Sequence, residues 1–366
     1  MGIHDRSYYR PPPPPPGAAR ALRPGWSVTT WIIAACVAVF VVDGFLGWTM
    51  EPVRSVPVPG MTAEQVARID RKDITLLAPR EPSAGGLVGY AVTGPDSPVA
   101  EVEFRIQRRL AELGYFSTAR AIYSNDPVLG VRGFEVWRFV TFQFLHANFN
   151  HIVFNLLTLF FFGPVVESYL GGKRFLAFYL LCGIAGAAMY LLLNGLAVGG
   201  QALFGPSFHP PGLLFNDPTT PLVGASAGVF GVIMAGAFLN PNAVVYLFFF
   251  IPMRLHTLAY GLLGFAVLAV IFNWANAGGE AAHIGGALAG WYLIRNPGHL
   301  HGFFDFLGQY DPTSRVAAAR KAVRRGSVRG GVDSDEVNRI LDKIGARGIH
   351  SLTEAEKRTL REASRR

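Results

Sequence analysis

The chain has 366 residues, of which 51% are hydrophobic and only 16% charged, with a mean hydropathy of +0.30. This balance excludes a disordered, collagen-like or disulfide-scaffold protein. Lys and Arg number 33 against 25 Asp and Glu, a net charge of +8, so the distribution must decide between nucleic acid, acidic lipid and basic loops beside a membrane.

Residues 1–25 carry Arg6, Arg10, Arg20 and Arg23 around Pro11–Pro16 and read as a polyproline tail. Trp26 to Trp48 is almost wholly apolar and of about the 20-residue length that crosses a hydrocarbon core. No small-x-small cleavage pattern follows at Gly47-Trp48-Thr49-Met50, and Asp43 interrupts the end, so an uncleaved span is expected rather than a signal peptide. Residues 50–134 are mixed in charge and rich in Pro and Gly, an extramembrane insertion with two expected short helices. Thr62 and Gln65 form a capping box for one. Ser97-Pro98 opens the other, with Val102, Ile106, Leu110 and Leu113 on one face and Gly114 at its end.

After Trp137-Arg138 the apolar material resumes, and five further spans are expected at about 147–169, 174–194, 226–240, 256–274 and 281–295. Val244–Ile251, between Pro241 and Pro252, is too short to cross and reads as interfacial. Cys36 and Cys182 fall inside apolar runs, so no secreted disulfide framework is implied. The expected fold class is therefore an all-α polytopic membrane protein, a six-transmembrane-helix bundle over 26–296. The tail 297–366 is basic, with Arg320-Lys321 and Arg324-Arg325. It holds two expected short helices, one with Val337, Ile340, Leu341 and Ile344, the other capped by Thr353 and Glu356 and carrying Leu360.

Lys173-Arg174, Arg254 and Arg295 all fall on the side of the arginine-bearing N-terminal tail. The positive-inside rule makes that side cytoplasmic, with both termini there and the 50–134 loop outside. The basic excess is thus explained by topology, and no nucleic acid is implied.

Polar groups inside spans need a reason, because a central charge costs about 2.5–3.5 kcal/mol on insertion scales. Three groups stand out: His146-Ala147-Asn148-Phe149-Asn150-His151 with Asn155, Gly224-Ala225-Ser226-Ala227-Gly228, and Ala282-His283-Ile284-Gly285-Gly286. His151 and Asn155, four apart, share a helix face. Small-residue helix packing accounts for a lone Gly-x-Ser-x-Gly, and a core hydrogen bond accounts for a lone histidine. Spans two, four and six, however, all run from outside to inside, so the three groups start at one shallow depth.

A hydroxyl, an imidazole and an imidazole–carboxamide pair at one level suit amide hydrolysis. Ser226 needs a base, and His283 is the available one. No third acidic member is apparent: Asp43 and Glu167 belong elsewhere, and Glu280 is three residues before His283, which makes a Ser–His dyad the leaner expectation. His151 and Asn155 side chains with the Ser226 amide at a helix N-terminus can donate to an oxyanion. Gly286 and Gly290 let span six approach span four closely. His146 and His151 lack the His-Glu-x-x-His pattern, and no metal or cofactor is expected.

Trp137-Arg138, His151, Asn155, Glu167, Gly224-x-Ser226 and Ala282-His283-x-x-Gly286, in that order and topology, resemble the rhomboid intramembrane serine proteases. The resemblance covers roughly 26–296 without much of 50–134. It implies a bacterial-type six-span core, Ser226 as nucleophile, His283 as general base, and an oxyanion hole of His151, Asn155 and the Ser226 amide. Gly224 would shape the turn before the serine, and Trp137-Arg138 would organise the outer loop. It also implies single-span membrane proteins as substrates, cut in the lipid bilayer of a bacterial inner membrane. Ala227 and Phe230 depart from the glycine and tyrosine of many relatives. A non-catalytic rhomboid-like protein that binds membrane helices is the alternative.

Overall fold

The computed structural model describes residues 26–79, 87–95, 97–122, 124–247, 250–300, 302–303, 334–347 and 351–364. The polyproline tail and the basic pairs Arg320-Lys321 and Arg324-Arg325 lie outside the described residues.

Helix α1, Val28–Leu46, starts at an N-cap Ser27 whose side chain accepts from the Thr30 amide. Asp43, which interrupts this apolar run, is 4% exposed and accepts from the Leu110 amide at 2.8 Å. It therefore satisfies a free donor at the start of a helix in the insertion.

The insertion corrects the all-α expectation. Strands β1 (Trp48–Pro57), β2 (Thr75–Leu77), β3 (Val88–Val92) and β4 (Pro98–Arg108) form one antiparallel sheet in the order β1-β4-β3-β2. The first expected helix is present as α2, Ala63–Ala67, with both halves of the Thr62–Gln65 capping box. The second is a strand until Arg108, and only Arg109–Gly114 is helical, as α3. Along β4, Val102 and Phe104 are buried and Glu101, Glu103 and Ile106 exposed. The alternation Ala100-Glu101-Val102-Glu103-Phe104 has a period of two, and it outweighs the four-residue spacing of a helix. Val66, Ala91, Val99, Val102 and Phe104 close a small core under this sheet.

From the insertion the chain runs through α4 (Thr118–Ala121), the hairpin β5–β6 (Ser124–Asp126 and Gly130–Arg132) and α5 (Arg138–Thr141) into the bundle. Its helices are α6 (Phe149–Leu170), α7 (Gly172–Phe204), α8 (Ser226–Leu239), α9 (Leu255–Ile271) and α10 (Ala277–Arg295). All six expected spans are helical at their expected places. Of these, α1, α6 and α7 are long and apolar enough to cross a membrane, whereas the apolar helices α8 and α9 have 14 and 17 residues. Helix α7 continues ten residues past the expected end at 194, to Phe204. Within the segment expected to be interfacial, Val244–Leu247 forms β7, which pairs antiparallel with β8 (Ile251–Arg254).

Helix α8 is the centre of the bundle, buried at ten of its positions from Ala227 to Ala237. Helix α10 approaches it at backbone contact, because a Cβ on Gly290 would lie 2.5 Å from the Gly231 Cα. Tyr179, Cys182, Val232 and Ile233 belong to the core this packing creates.

Near the end of the chain, α11 (Ser334–Arg347) and α12 (Glu354–Ser364) are the two expected helices of the tail. Val337 and Ile340 are buried between them as expected, while Leu341 is exposed. Thr353 and Glu356 form the expected capping box, Glu356 N donating to Thr353 Oγ1 at 3.3 Å and Thr353 N to Glu356 Oε2 at 2.8 Å.

Candidate active site

Ser226 is the first residue of α8, so its amide belongs to the unbonded donors at a helix N-terminus. The turn before it depends on Gly224, whose φ is +130°. A Cβ there would lie 2.8 Å from His151 Nε2 and 3.6 Å from Ser226 Oγ. Glycine thus admits both the backbone conformation and the imidazole next to the serine oxygen. The Gly224 amide donates to the Phe142 carbonyl at 2.9 Å, and Phe116 and Leu222 pair through two backbone hydrogen bonds. The turn that carries Ser226 is therefore held between Phe142, which follows α5, and the insertion.

His151 enters from the first turn of α6, where Asn148 Oδ1 accepts its backbone N–H at 2.9 Å. Asn155, one turn on and 6% exposed, donates Nδ2 to the His151 carbonyl at 2.8 Å. His146 lies outside that helix, with its ring edge-on to His151 at 5.2 Å.

His283 comes from α10. Its ring stacks on Phe230 of α8, centroids 4.0 Å apart and 9° from parallel. Its Nδ1 is 2.9 Å from Glu280 Oε2. Glu280 is thus an acidic neighbour of the His283 ring, where the sequence suggests a dyad without one. Residues three apart on a helix are neighbours, and that spacing was the available signal.

Ser226, His283, His151 and Asn155 line one cleft of about 790 Å³, together with Phe154 and Trp274. No side-chain hydrogen bond joins Ser226 to His283 among the described residues; catalytic hydrogen bonds commonly tighten only when substrate is bound. Gly286 lies behind the cleft, against the Ala227 backbone.

Glu167, Trp137 and Arg138 stand outside the cleft. Glu167 caps α1: Val28 N and Thr29 N donate to its two oxygens at 2.8 and 2.9 Å, and Thr29 Oγ1 at 2.6 Å. Arg138, 3% exposed, donates to Glu135 at 2.6 Å, to the Tyr115 carbonyl at 2.6 Å and to the Glu112 carbonyl at 3.0 Å. Trp137 Nε1 donates to the Leu113 carbonyl at 3.3 Å. The pair clamps the end of the insertion to the segment leading into α6. Glu51 is a buried neighbour of this clamp that no sequence motif marks: it accepts from Tyr115 at 3.0 Å and pairs with Arg120 and Gln107.

Residues 133–296 match the family model described as Rhomboid domain. This stretch of the chain carries a Rhomboid domain. Residues 332–366, which contain α11 and α12, match a second model, described as a family of unknown function. Among curated proteins, the chain is 32% identical to RHOMBOID-like protein 12, mitochondrial, of Arabidopsis thaliana, over 47% of this chain and 51% of that protein. It is 31% identical to Rhomboid protein 1, mitochondrial, of Saccharomyces cerevisiae, over 42% of this chain and 40% of that one. It is 28% identical to the rhomboid protease AarA of Providencia stuartii, over 42% and 53%. The chain spans about half the length of these relatives. With this domain and three helices long and apolar enough to cross a membrane, the chain is an integral membrane protein.

Proposed function

We propose that the rhomboid domain is an intramembrane serine endopeptidase that hydrolyses peptide bonds in or next to transmembrane segments of single-span membrane proteins. The observation that carries this reading is the convergence of Ser226, His283, His151 and Asn155, from α8, α10 and α6, on one cleft. The names of relatives such as the rhomboid protease AarA support it.

In this mechanism His283 Nε2 takes the Ser226 hydroxyl proton as Oγ bonds to the scissile carbonyl carbon. The resulting oxyanion accepts hydrogen bonds from the Ser226 amide and from the His151 and Asn155 side chains, and one such donor is typically worth about 2.7–4 kcal/mol. The imidazolium then gives its proton to the departing amine nitrogen as the C–N bond breaks. Water, deprotonated by the same imidazole, hydrolyses the acyl-serine ester. Lipid leaves a helical substrate's carbonyls bonded within the helix, so a locally unwound substrate segment is required.

The proposed location is a bacterial cytoplasmic membrane with six spans and both termini cytoplasmic. Lys173, Arg174, Arg254 and Arg295 on one side support that orientation. Helix α8, about 21 Å long at 14 residues, is shorter than the roughly 30 Å core, which suits a serine lying below the outer face.

The test needs no substrate. Full-length detergent-solubilised protein is treated with a serine-directed fluorophosphonate, and the adduct is mapped by mass spectrometry beside Ser226→Ala and His283→Ala. Adduct at Ser226 that is lost in the His283 variant is the expected result. A folded, unlabelled protein would favour the non-catalytic helix-binding alternative.

A further inference from the structure

We propose that Glu280 is a positioning residue for His283, holding the imidazole in the one tautomer that can take the Ser226 proton. This rests on the serine endopeptidase reading above.

Stacking on Phe230 at 4.0 Å and 9° confines the imidazole to one plane. Within that plane its Nδ1 lies 2.9 Å from Glu280 Oε2, and the two side chains are only 14% and 12% exposed. A carboxylate only accepts, so Nδ1 carries the hydrogen and Nε2 keeps the lone pair that general-base chemistry needs. The second oxygen, Glu280 Oε1, accepts from Asn276 Nδ2 at 3.4 Å. Gly279 makes room for that amide, since a Cβ there would lie 2.6 Å from Asn276 Oδ1. Asn276, Glu280 and His283 thus form a line along the start of α10 that ends in the cleft. During acylation Nε2 gains the serine proton while Nδ1–H stays with Nδ1. Glu280 remains ionised and faces the imidazolium that forms.

A carboxylate in a first helical turn also favours the helix dipole, and that role alone would explain its presence. The two roles diverge at Glu280→Gln. With Asn276 donating to one end, the glutamine oxygen is drawn to Asn276 and its NH2 faces Nδ1. Nδ1 must then accept, which moves the ring hydrogen to Nε2 and blocks the base. Glu280→Gln is therefore expected to slow fluorophosphonate labelling of Ser226 by about 10²-fold or more, at least as much as Glu280→Ala. Glu280→Asp should recover part of the rate, with the thermal midpoints of all three near that of the parent. Labelling of Glu280→Gln at the parent rate, or faster than Glu280→Ala by the margin of a better-packed isostere, would overturn the proposal.

A second measurement separates this from failure of the protease reading itself. In full-length protein with 15N-labelled histidine, the His283 ring is read in a Ser226→Ala background, where no activity is needed. A hydrogen on Nδ1 that moves to Nε2 in the Glu280→Gln double variant supports the assignment. A hydrogen on Nε2 before that substitution refutes it. Absence of Ser226 labelling in the parent, with the Nδ1–H tautomer present, would sink the protease reading and leave the positioning contact intact.

Discussion

Gly286 on α10 packs directly against the carbonyl oxygen of Ala227 on α8, so closely that a Cβ on Gly286 would sit 2.0 Å from that oxygen. The carbonyl belongs to the residue after Ser226, and Gly286 is one turn below His283. The same contact that closes the bundle therefore sets the spacing of the two proposed reacting side chains. Gly286→Ala cannot be absorbed by a side-chain rotation, because the obstacle is backbone. We expect a loss of about 1–3 kcal/mol from overpacking, and Ser226 labelling reduced at temperatures well below the lowered thermal midpoint. Unchanged labelling would mean that α8 and α10 can separate without disturbing the cleft.

Glu167 acts at a distance from the cleft. It bonds the Val28 and Thr29 amides at 2.8 and 2.9 Å, donors that the start of α1 would otherwise leave open. Glu167→Ala should lower stability by about 1–2 kcal/mol and raise hydrogen exchange at the first turn of α1. Labelling of Ser226 at low temperature should persist. Loss of labelling in a folded Glu167→Ala protein would assign the residue a role at the site that its position does not explain.

Arg138 provides a contrasting case, because its guanidinium serves three acceptors at once in a buried residue. The exposure of 3% means that removal strands Glu135 and the carbonyls of Tyr115 and Glu112. Breaking a buried pair typically costs about 3–5 kcal/mol, and Arg120, 2.9 Å from Glu135, keeps Arg138→Ala at the lower end. Arg138→Lys should rescue little, since one ammonium cannot span the fork. Thermal unfolding of the three proteins checks the order; a lysine variant matching the parent would show that charge alone suffices.

The two-helix tail carries its own pH dependence. Lys343, 2.9 Å from both oxygens of Glu356, and the Thr353 amide pull the Glu356 carboxyl down to about 2. A depressed folded value means that the stabilisation is complete above the ordinary glutamate range near about 4.3 and is lost as pH falls from there toward about 2. Hydrogen exchange of residues 351–364, corrected for the intrinsic rate, should therefore show declining protection across that acidic window in the full chain. Glu356→Gln should flatten the dependence. An unaltered profile in that variant would transfer the effect to another carboxylate.

The sequence alone placed the apolar helices and marked the candidate residues. Apolar runs placed all six bundle helices, because length and hydropathy are local properties of the chain. The polar groups Ser226, His283, His151 and Asn155 stood out because apolar surroundings make each one costly. Two matters needed the tertiary structure. In the insertion, the spacing of Val102, Ile106 and Leu110 and the alternation of Val102 and Phe104 with glutamates supported opposite elements. Only pairing of Pro98–Arg108 with strands on both sides could choose, since a strand's stabilisation comes from neighbours distant in sequence. At the site, sequence spacing alone does not give Glu280 its place. Whether a carboxylate three residues from a histidine is solvated or directed onto the ring depends on burial and on a stacking partner from another helix, and Phe230 on α8 supplies that partner.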